Sequence, residues 1–260
     1  MKKKIAILLL FSLFFQINIF AQSKNEPIKD YTPGILRSLA VGVEYRLKAG
    51  LLIGGVSPIP VPLEIQKIKS YNPLLNIMLE AEIQKSFNEN WALSFGLRME
   101  QKGMETLAQV KSYATELNQD DGSIAGVWTG NVQTKVHNSY LTLPVLAVFK
   151  PTQRWGIKLG PYLSYLLNGT FSGYALDGYL RKDNPVGEKI EIAKASYDFS
   201  ENLAKWNYGI QAGAEFQAFP HFFAGLDFTW GINSIFPKKF KTMNFAMHPI
   251  YLGLNFGYKF

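Results

Sequence analysis

Stretches of about ten residues in which every second side chain is large and apolar recur eight times along this chain, which restricts it to architectures built from strands. The last reads IYLGLNFGYKF. Ile250, Leu252, Leu254, Phe256, Tyr258 and Phe260 share one parity, and Tyr251, Gly253, Asn255, Gly257 and Lys259 the other. Side chains alternate faces along a strand, so each stretch has one greasy face and one small or polar face. The earlier ones cover 39–47, 75–83, 93–99, 141–149, 157–167, 207–218 and 222–233. Their length and alternation are those of strands that cross a membrane as part of a barrel.

The connections alternate too. Short ones fall near 88–90, 151–154 and 220–221, and long ones cover 57–72, 103–136, 169–205 and 236–248. Tight turns on the periplasmic side and long loops outside are the habit of outer-membrane barrels, and eight strands put both ends of the barrel on the periplasmic side. The expected fold is therefore an all-β, antiparallel, up-and-down transmembrane barrel of eight strands.

Lys2, Lys3 and Lys4 precede an apolar run over 5–15, and Ala21 follows as a small residue at a cleavage point. That is the layout of a secretory leader, and the apolar run is shorter than the ~20 residues a helical span requires. The expected organisation is a cleaved signal over 1–21, a periplasmic lead-in over 22–34 and a barrel over 35–260. Without the leader's three lysines the formal net charge falls from +7 to +4. No concentrated basic stripe remains to neutralise phosphates, so a nucleic-acid partner is not indicated. The chain has no cysteine, which excludes disulfides, thiolate metal sites, a cysteine nucleophile and a lipidated N-terminal cysteine.

Alternation alone does not say which face is inside. An eight-stranded lumen is just wide enough to be filled by side chains, and the Leu, Ile, Phe, Tyr and Trp of the greasy parity would overfill it. The opposite parity is rich in glycine, including Gly42, Gly96, Gly213 and Gly257. Aromatic residues gather where the stretches end: Phe87, Trp91, Trp155, Phe219, Phe222, Tyr258 and Phe260 near the short turns, Tyr71, Tyr165, Tyr208 and Trp230 near the long loops. These read as two interfacial girdles. Lipid is thus expected on the greasy face. The inward parity then carries the acids Glu44, Glu80, Glu82, Glu100, Glu215 and Asp227 and the bases Arg46, Lys48, Arg98, Lys102, Lys158 and Lys259. Charges in a narrow lumen are tolerated when paired, so this balanced set is expected to form an interlocked plug. A proton or ion path is the alternative.

Candidate chemistry is sparse. His137, His221 and His248 fall on different connections without metal-motif spacing, and no calcium or phosphate-binding loop is present. No cofactor is therefore expected. His137 with Ser139 and the pair Asp120 and Asp121 are the ingredients for a surface enzyme, but they form no known constellation. The stretch SPIPVPLEIQKIKSYNP, 57–73, holds four prolines and should be stiff and extended, either as a partner-binding groove or as a rim. The stretch 171–200 mixes Tyr174, Tyr179, Tyr197 and Phe199 with Asp177, Arg181, Asp183 and Asp198. Such a mixture is common at recognition surfaces and makes this loop the candidate partner-binding site, unless it folds over the mouth and packs its own aromatics.

The tyrosine-led, proline-containing YLTLPVLAVFK (140–150), the leader's IFAQ and the ending GLNFGYKF resemble the PorT-like outer-membrane β-barrel family of gram-negative bacteria. The resemblance implies an outer-membrane barrel. It also implies, for a few members, an association with secretion of proteins across that membrane, and it brings no catalytic residues. The expectation is thus a non-enzymatic outer-membrane protein whose loops bind a partner or support envelope assembly or secretion, with a small-solute channel and a surface enzyme as rivals. Its oligomeric state is not legible. Stripped of its leader, the chain should require detergent or lipid to stay in solution. A freely soluble monomer in sedimentation would overturn the inside-outside assignment.

Overall fold

The computed structural model describes residues 42–260 apart from 120, 121, 183–185, 241 and 244. The expected signal (1–21), lead-in (22–34) and first part of the barrel (35–41) lie outside these residues. In chain order the strands are β1 (Val43–Pro58), β2 (Ile65–Asn72), β3 (Asn76–Ser86), β4 (Trp91–Gln119), β5 (Gly122–Phe149), β6 (Trp155–Lys182), β7 (Lys189–Asp198), β8 (Trp206–Gln217), β9 (Phe222–Gly231) and β10 (Met247–Lys259). A 3-10 turn, Ser200–Asn202, follows β7.

Eight of these strands form a closed antiparallel ring in the order β1, β3, β4, β5, β6, β8, β9, β10. Closure comes from β1 and β10, paired from Arg46↔Lys259 to Pro58↔Met247. The expected barrel is thus the observed one. β2 and β7 lie above the ring, continuing along β4 the place of β3 and along β6 the place of β8.

The faces divide by polarity as alternation demands. Leu254 and Phe256 are 46% and 61% exposed on the outside, whereas Lys48, Glu80 and Lys158 inside have no exposure at all. In a bilayer those outer side chains meet hydrocarbon. Small residues make room within. A Cβ at Gly213 would run into the Asp227 carboxylate, and one at Gly257 into the Phe223 ring. Gly42 does not belong to this set: it sits in an exposed turn ahead of β1 with φ 73°, a backbone that glycine adopts without strain.

The three short turns are locally stapled. Asn88 Oδ1 accepts the N–H groups of Asn90 and Trp91 at 3.0 and 2.8 Å, and Thr152 Oγ1 those of Arg154 and Trp155 at 3.3 and 3.2 Å. Asn and Thr serve here as side-chain mimics of a turn's carbonyl. Phe219 and Phe222 close the third turn through reciprocal backbone bonds of 3.1 and 3.3 Å.

The long connections depart from expectation. Most of 103–136 belongs to β4 and β5, which run 29 and 28 residues, and 169–205 is largely β6 and β7. About ten residues suffice to cross the membrane, so nearly two-thirds of each long strand stands beyond it. Outside the membrane the polarity inverts. Val110, Leu117, Trp128, Val132, Val136, Phe171, Leu180 and Ile192 are buried in one apolar core, while Lys111 and Lys135 are exposed.

Three bulges re-aim the strands along this stretch. Leu167 is the extra residue between Tyr140↔Leu166 and Ser139↔Asn168, so even positions face inward below it and Phe171 and Ala175 above. Asp177 and Ser112, with φ 49° and 56°, mark the other two.

Leu254 lies midway between Tyr258 at one girdle and Ile250, paired with Trp230, at the other. Leu254→Arg should destabilise the barrel by about 2–4 kcal/mol in urea unfolding from lipid vesicles, and Tyr258→Arg at the interface by no more than about 1 kcal/mol.

Candidate functional site

The inward faces of the ring strands bring all twelve sequence-identified lumen charges to oppositely charged partners. At the periplasmic mouth Lys259 Nζ lies 3.7 Å from Glu44 Oε1. Next, the two ends of the Arg46 guanidinium divide between Glu82 Oε1 at 2.7 Å and Glu215 Oε2 at 2.6 Å. Lys158 Nζ sits between the same two acids, at 2.9 and 2.6 Å. Lys48 touches Glu82 and lies 3.2 Å from Glu80 and 3.3 Å from Glu215. Higher still, Arg98 Nε donates to Glu80 Oε2 at 2.5 Å, and its guanidinium is 3.6 Å from Glu100 and 3.9 Å from Asp227. Lys102 completes the column, 2.8 Å from Glu100.

Neutral groups add further contacts. Asn255 Nδ2 donates to Asp227 at 2.8 Å and Thr142 Oγ1 to Glu100 at 2.7 Å. Phe223 stacks under the Arg46 guanidinium, 3.8 Å from its ring centre. The rings of Tyr140, Tyr162 and Tyr251 surround the Lys102 ammonium at 5.7, 5.2 and 5.6 Å. Ring faces are attractive to cations, and more so where water is excluded.

This column has no clear bore. From the periplasm a polar vestibule of about 390 Å³ reaches as far as Arg46 and Glu215. Beyond them Lys48, Glu82, Lys158 and Arg98 are enclosed. At the other end the ionic column gives way to the apolar core, beginning with Val56, Met104, Val136, Leu166 and Phe171.

The residues of the candidate partner-binding loop scatter over the extracellular sheet. Tyr174 is exposed, with Lys194 Nζ 4.2 Å above its ring, and Tyr179 lies under Lys189 and Arg181 at 4.4 and 5.5 Å. Arg181 Nη1 also donates to Gly187 O at 3.0 Å. Asp177 occupies the exposed bulge position, Asp198 accepts the Ser200 N–H at 2.9 Å, and Asp183 lies outside the described residues. Two of the loop's aromatics are buried, as in the alternative where the stretch packs its own rings. Tyr197 and Phe199 pack with Phe171 and Phe236, and Tyr197 Oη donates to Gln133 O at 2.9 Å. Burial pushes the phenol of Tyr197 well above its ordinary range, so it stays neutral as a core hydroxyl.

The histidines do not meet. His221 and His248 bind backbone carbonyls of Lys259 and Gly231 at 2.9 and 3.0 Å, and His137 is exposed on β5. Asp120 and Asp121 lie outside the described residues. Among the described residues no three His, Asp or Glu side chains converge as a metal site. Two features escaped the sequence reading. Trp206 joins the outer girdle, edge-on to Tyr165 at 4.9 Å, and β2 is a strand with an open edge. Trp206 is legible as the residue just before the sixth alternating stretch, 207–218; the edge is not.

Glu82 faces three cations, so its loss leaves buried charge uncompensated. Glu82→Leu should cost about 3–5 kcal/mol in vesicle unfolding, and adding Lys158→Leu should recover part of that loss. No recovery would mean that the two act separately.

Residues 20–237 match the model of a family described as the outer membrane protein beta-barrel domain. No curated protein matches the chain in sequence. Among solved structures it is similar to Ail, the attachment invasion locus protein of Yersinia pestis, at 12% identity and a TM-score of 0.37, covering 85% of this chain and 100% of that one. Similarity extends to Neisserial surface protein A (9% identity, TM-score 0.34, 84% of this chain and 97% of that one). It extends also to an outer membrane channel from Pseudomonas putida F1 (9% identity, TM-score 0.30, 89% and 100%). The family match spans most of the length and agrees with the closed, lipid-facing ring: this chain belongs to the outer membrane protein beta-barrel domain family.

Proposed function

We propose that this protein is a non-enzymatic outer-membrane barrel with a sealed lumen, which holds a folded extracellular β platform in place to bind a partner. The observation that carries the reading is the sequence of fillings along the barrel axis. Six acids and six bases are interlocked across the membrane, and an apolar core follows. A pore would need a continuous polar route, and here every charge is already answered by a neighbour. A platform, by contrast, gains from a rigid filled stalk, and 28- and 29-residue strands carry that stalk straight into the outer sheet. The likeness of 140–150 to PorT-like barrels supports a setting in envelope assembly or protein secretion.

The channel reading is tested by planar-bilayer recording of the purified full-length protein. The expected record shows no stable conductance; a large, stable one would overturn the sealed lumen. A photo-crosslinking residue in place of exposed Tyr174 should give a discrete adduct on intact cells, and one in place of Trp155 in the periplasmic girdle should not. Absence of any adduct from Tyr174, Asp177 and Arg181 alike would count against the platform. Activity that disappears with His137→Ala would instead favour a surface enzyme.

A further inference from the structure

The barrel wall forks at Asn76. β1 and β3 pair from Val43↔Lys85 up to Leu52↔Asn76, where their ladder stops. Pro73 has no N–H with which to continue it, and Leu74 turns the chain with φ 36°. The Asn76 amide ties the fork, donating to Gly103 O at 2.9 Å and Pro73 O at 3.0 Å and reaching Leu52 O at 3.4 Å. Above it β1 stays on β10 and β2 stays on β4, with no strand between them among the described residues. Only side chains cross the gap. Tyr71 Oη donates to Gly54 O at 2.8 Å, and the Val56 N–H finds Met104 Sδ at 3.3 Å.

β2 is therefore a strand with one unpaired edge. It is also unusually bare: every residue after Ile65 is exposed, and its ladder with β4 slips register twice in eight residues. Open edges of this kind are templates for another strand. Lys67 and Lys69 on β2 and Lys111 on β4, beside the start of β2, are exposed, and the Lys69 ammonium donates to Asn131 Oδ1 at 2.7 Å, a neutral acceptor that an acidic side chain would replace. Apolar side chains are displayed beside them, with Ile68 62% exposed and Val61 and Leu63, in the proline-rich lead, 62% and 91%. A second copy in the same membrane does not suit this edge. A two-fold axis along the membrane normal would align two β2 strands parallel and set lysine against lysine.

We propose that the free edge of β2 is a strand-addition site for an extended segment of an extracellular protein in which acidic and apolar side chains alternate. The proposal rests on the partner-binding reading above and assigns it a place. Main-chain bonds to β2 supply the register, Lys67, Lys69 and Lys111 select acidic side chains, and Ile68, Val61 and Leu63 receive the apolar ones.

The test uses full-length protein in detergent and a labelled eight-residue peptide alternating valine and glutamate. Binding should protect the amides of residues 65–72 from hydrogen exchange. The same peptide with every second amide N-methylated should bind at least about tenfold more weakly, because it cannot complete the ladder. Replacing both lysines, Lys67→Glu with Lys69→Glu, should weaken the glutamate peptide about tenfold and transfer the preference to a valine–lysine peptide. Both positions are exposed, and circular dichroism together with unboiled gel mobility reports that the barrel is intact. No binding, equal binding of the methylated peptide, or protection confined to other strands would each overturn the site. A Tyr174 adduct on cells persisting alongside such a result would leave the platform standing and move its contact elsewhere.

Discussion

Hydrocarbon offers no hydrogen bonds, and each backbone group left unpaired there costs several kcal/mol. That cost is why β10 must meet β1, and the rest of this protein follows from the closed ring. Eight strands in a ring enclose a space only wide enough for side chains. Whatever points inward is then removed from both water and lipid, and a charge in that position survives by being matched. Glu82 and Glu215, each shared among Arg46, Lys48 and Lys158, show how closely the matching is done. Such a network need not add net stability over an apolar filling, since desolvation offsets much of the attraction. What it does is define which side chains face each other and fill the bore.

At the outer membrane surface the solvent changes, and the strands change sign with it. Below that level Leu143 and Val145 of β5 face lipid while Thr142 faces the lumen. Above it Val136 and Val132 of the same strand are core and Lys135 is exposed. The inversion is made without breaking β4, β5 or β6 and, on β4 and β5, without a change of phase: Glu100 and Met104, like Thr142 and Val136, all point inward and only their chemistry changes, while β6 alone shifts phase at this level, at Leu167. Continuity of the strands couples the sealed barrel mechanically to the platform above it.

The legible parts of the site were those where one parity rule held over a whole strand. Lumen charges such as Lys48, Glu80 and Arg98 are placed by the apolar residues on either side of them, Leu47 and Ala49, Leu79 and Ala81, Leu97 and Met99. The platform reads as loop because its polarity is reversed relative to the membrane-spanning part of the same strands. For Tyr197 and Phe199 the sequence leaves surface recognition and packing of their own rings both open. Their composition suits recognition, but their partners Phe171 and Phe236 lie 26 to 37 positions away along the chain, and nothing local marks the contact. β2 was half-hidden by its prolines: 57–73 reads as a stiff connection, and only its pairing with β4 makes its second half a strand.

By itself the amino-acid sequence determined that strands cross the membrane, how many do so, and which face of each meets lipid. Those properties depend on side chains two residues apart, and the period of a strand carries them directly. The tertiary structure decided which acid meets which base, that the outer strands close over an apolar core, and that one edge is left open. Each of these depends on groups brought together from distant positions by ring closure, register and bulges, and a one-residue slip in any strand would exchange its two faces.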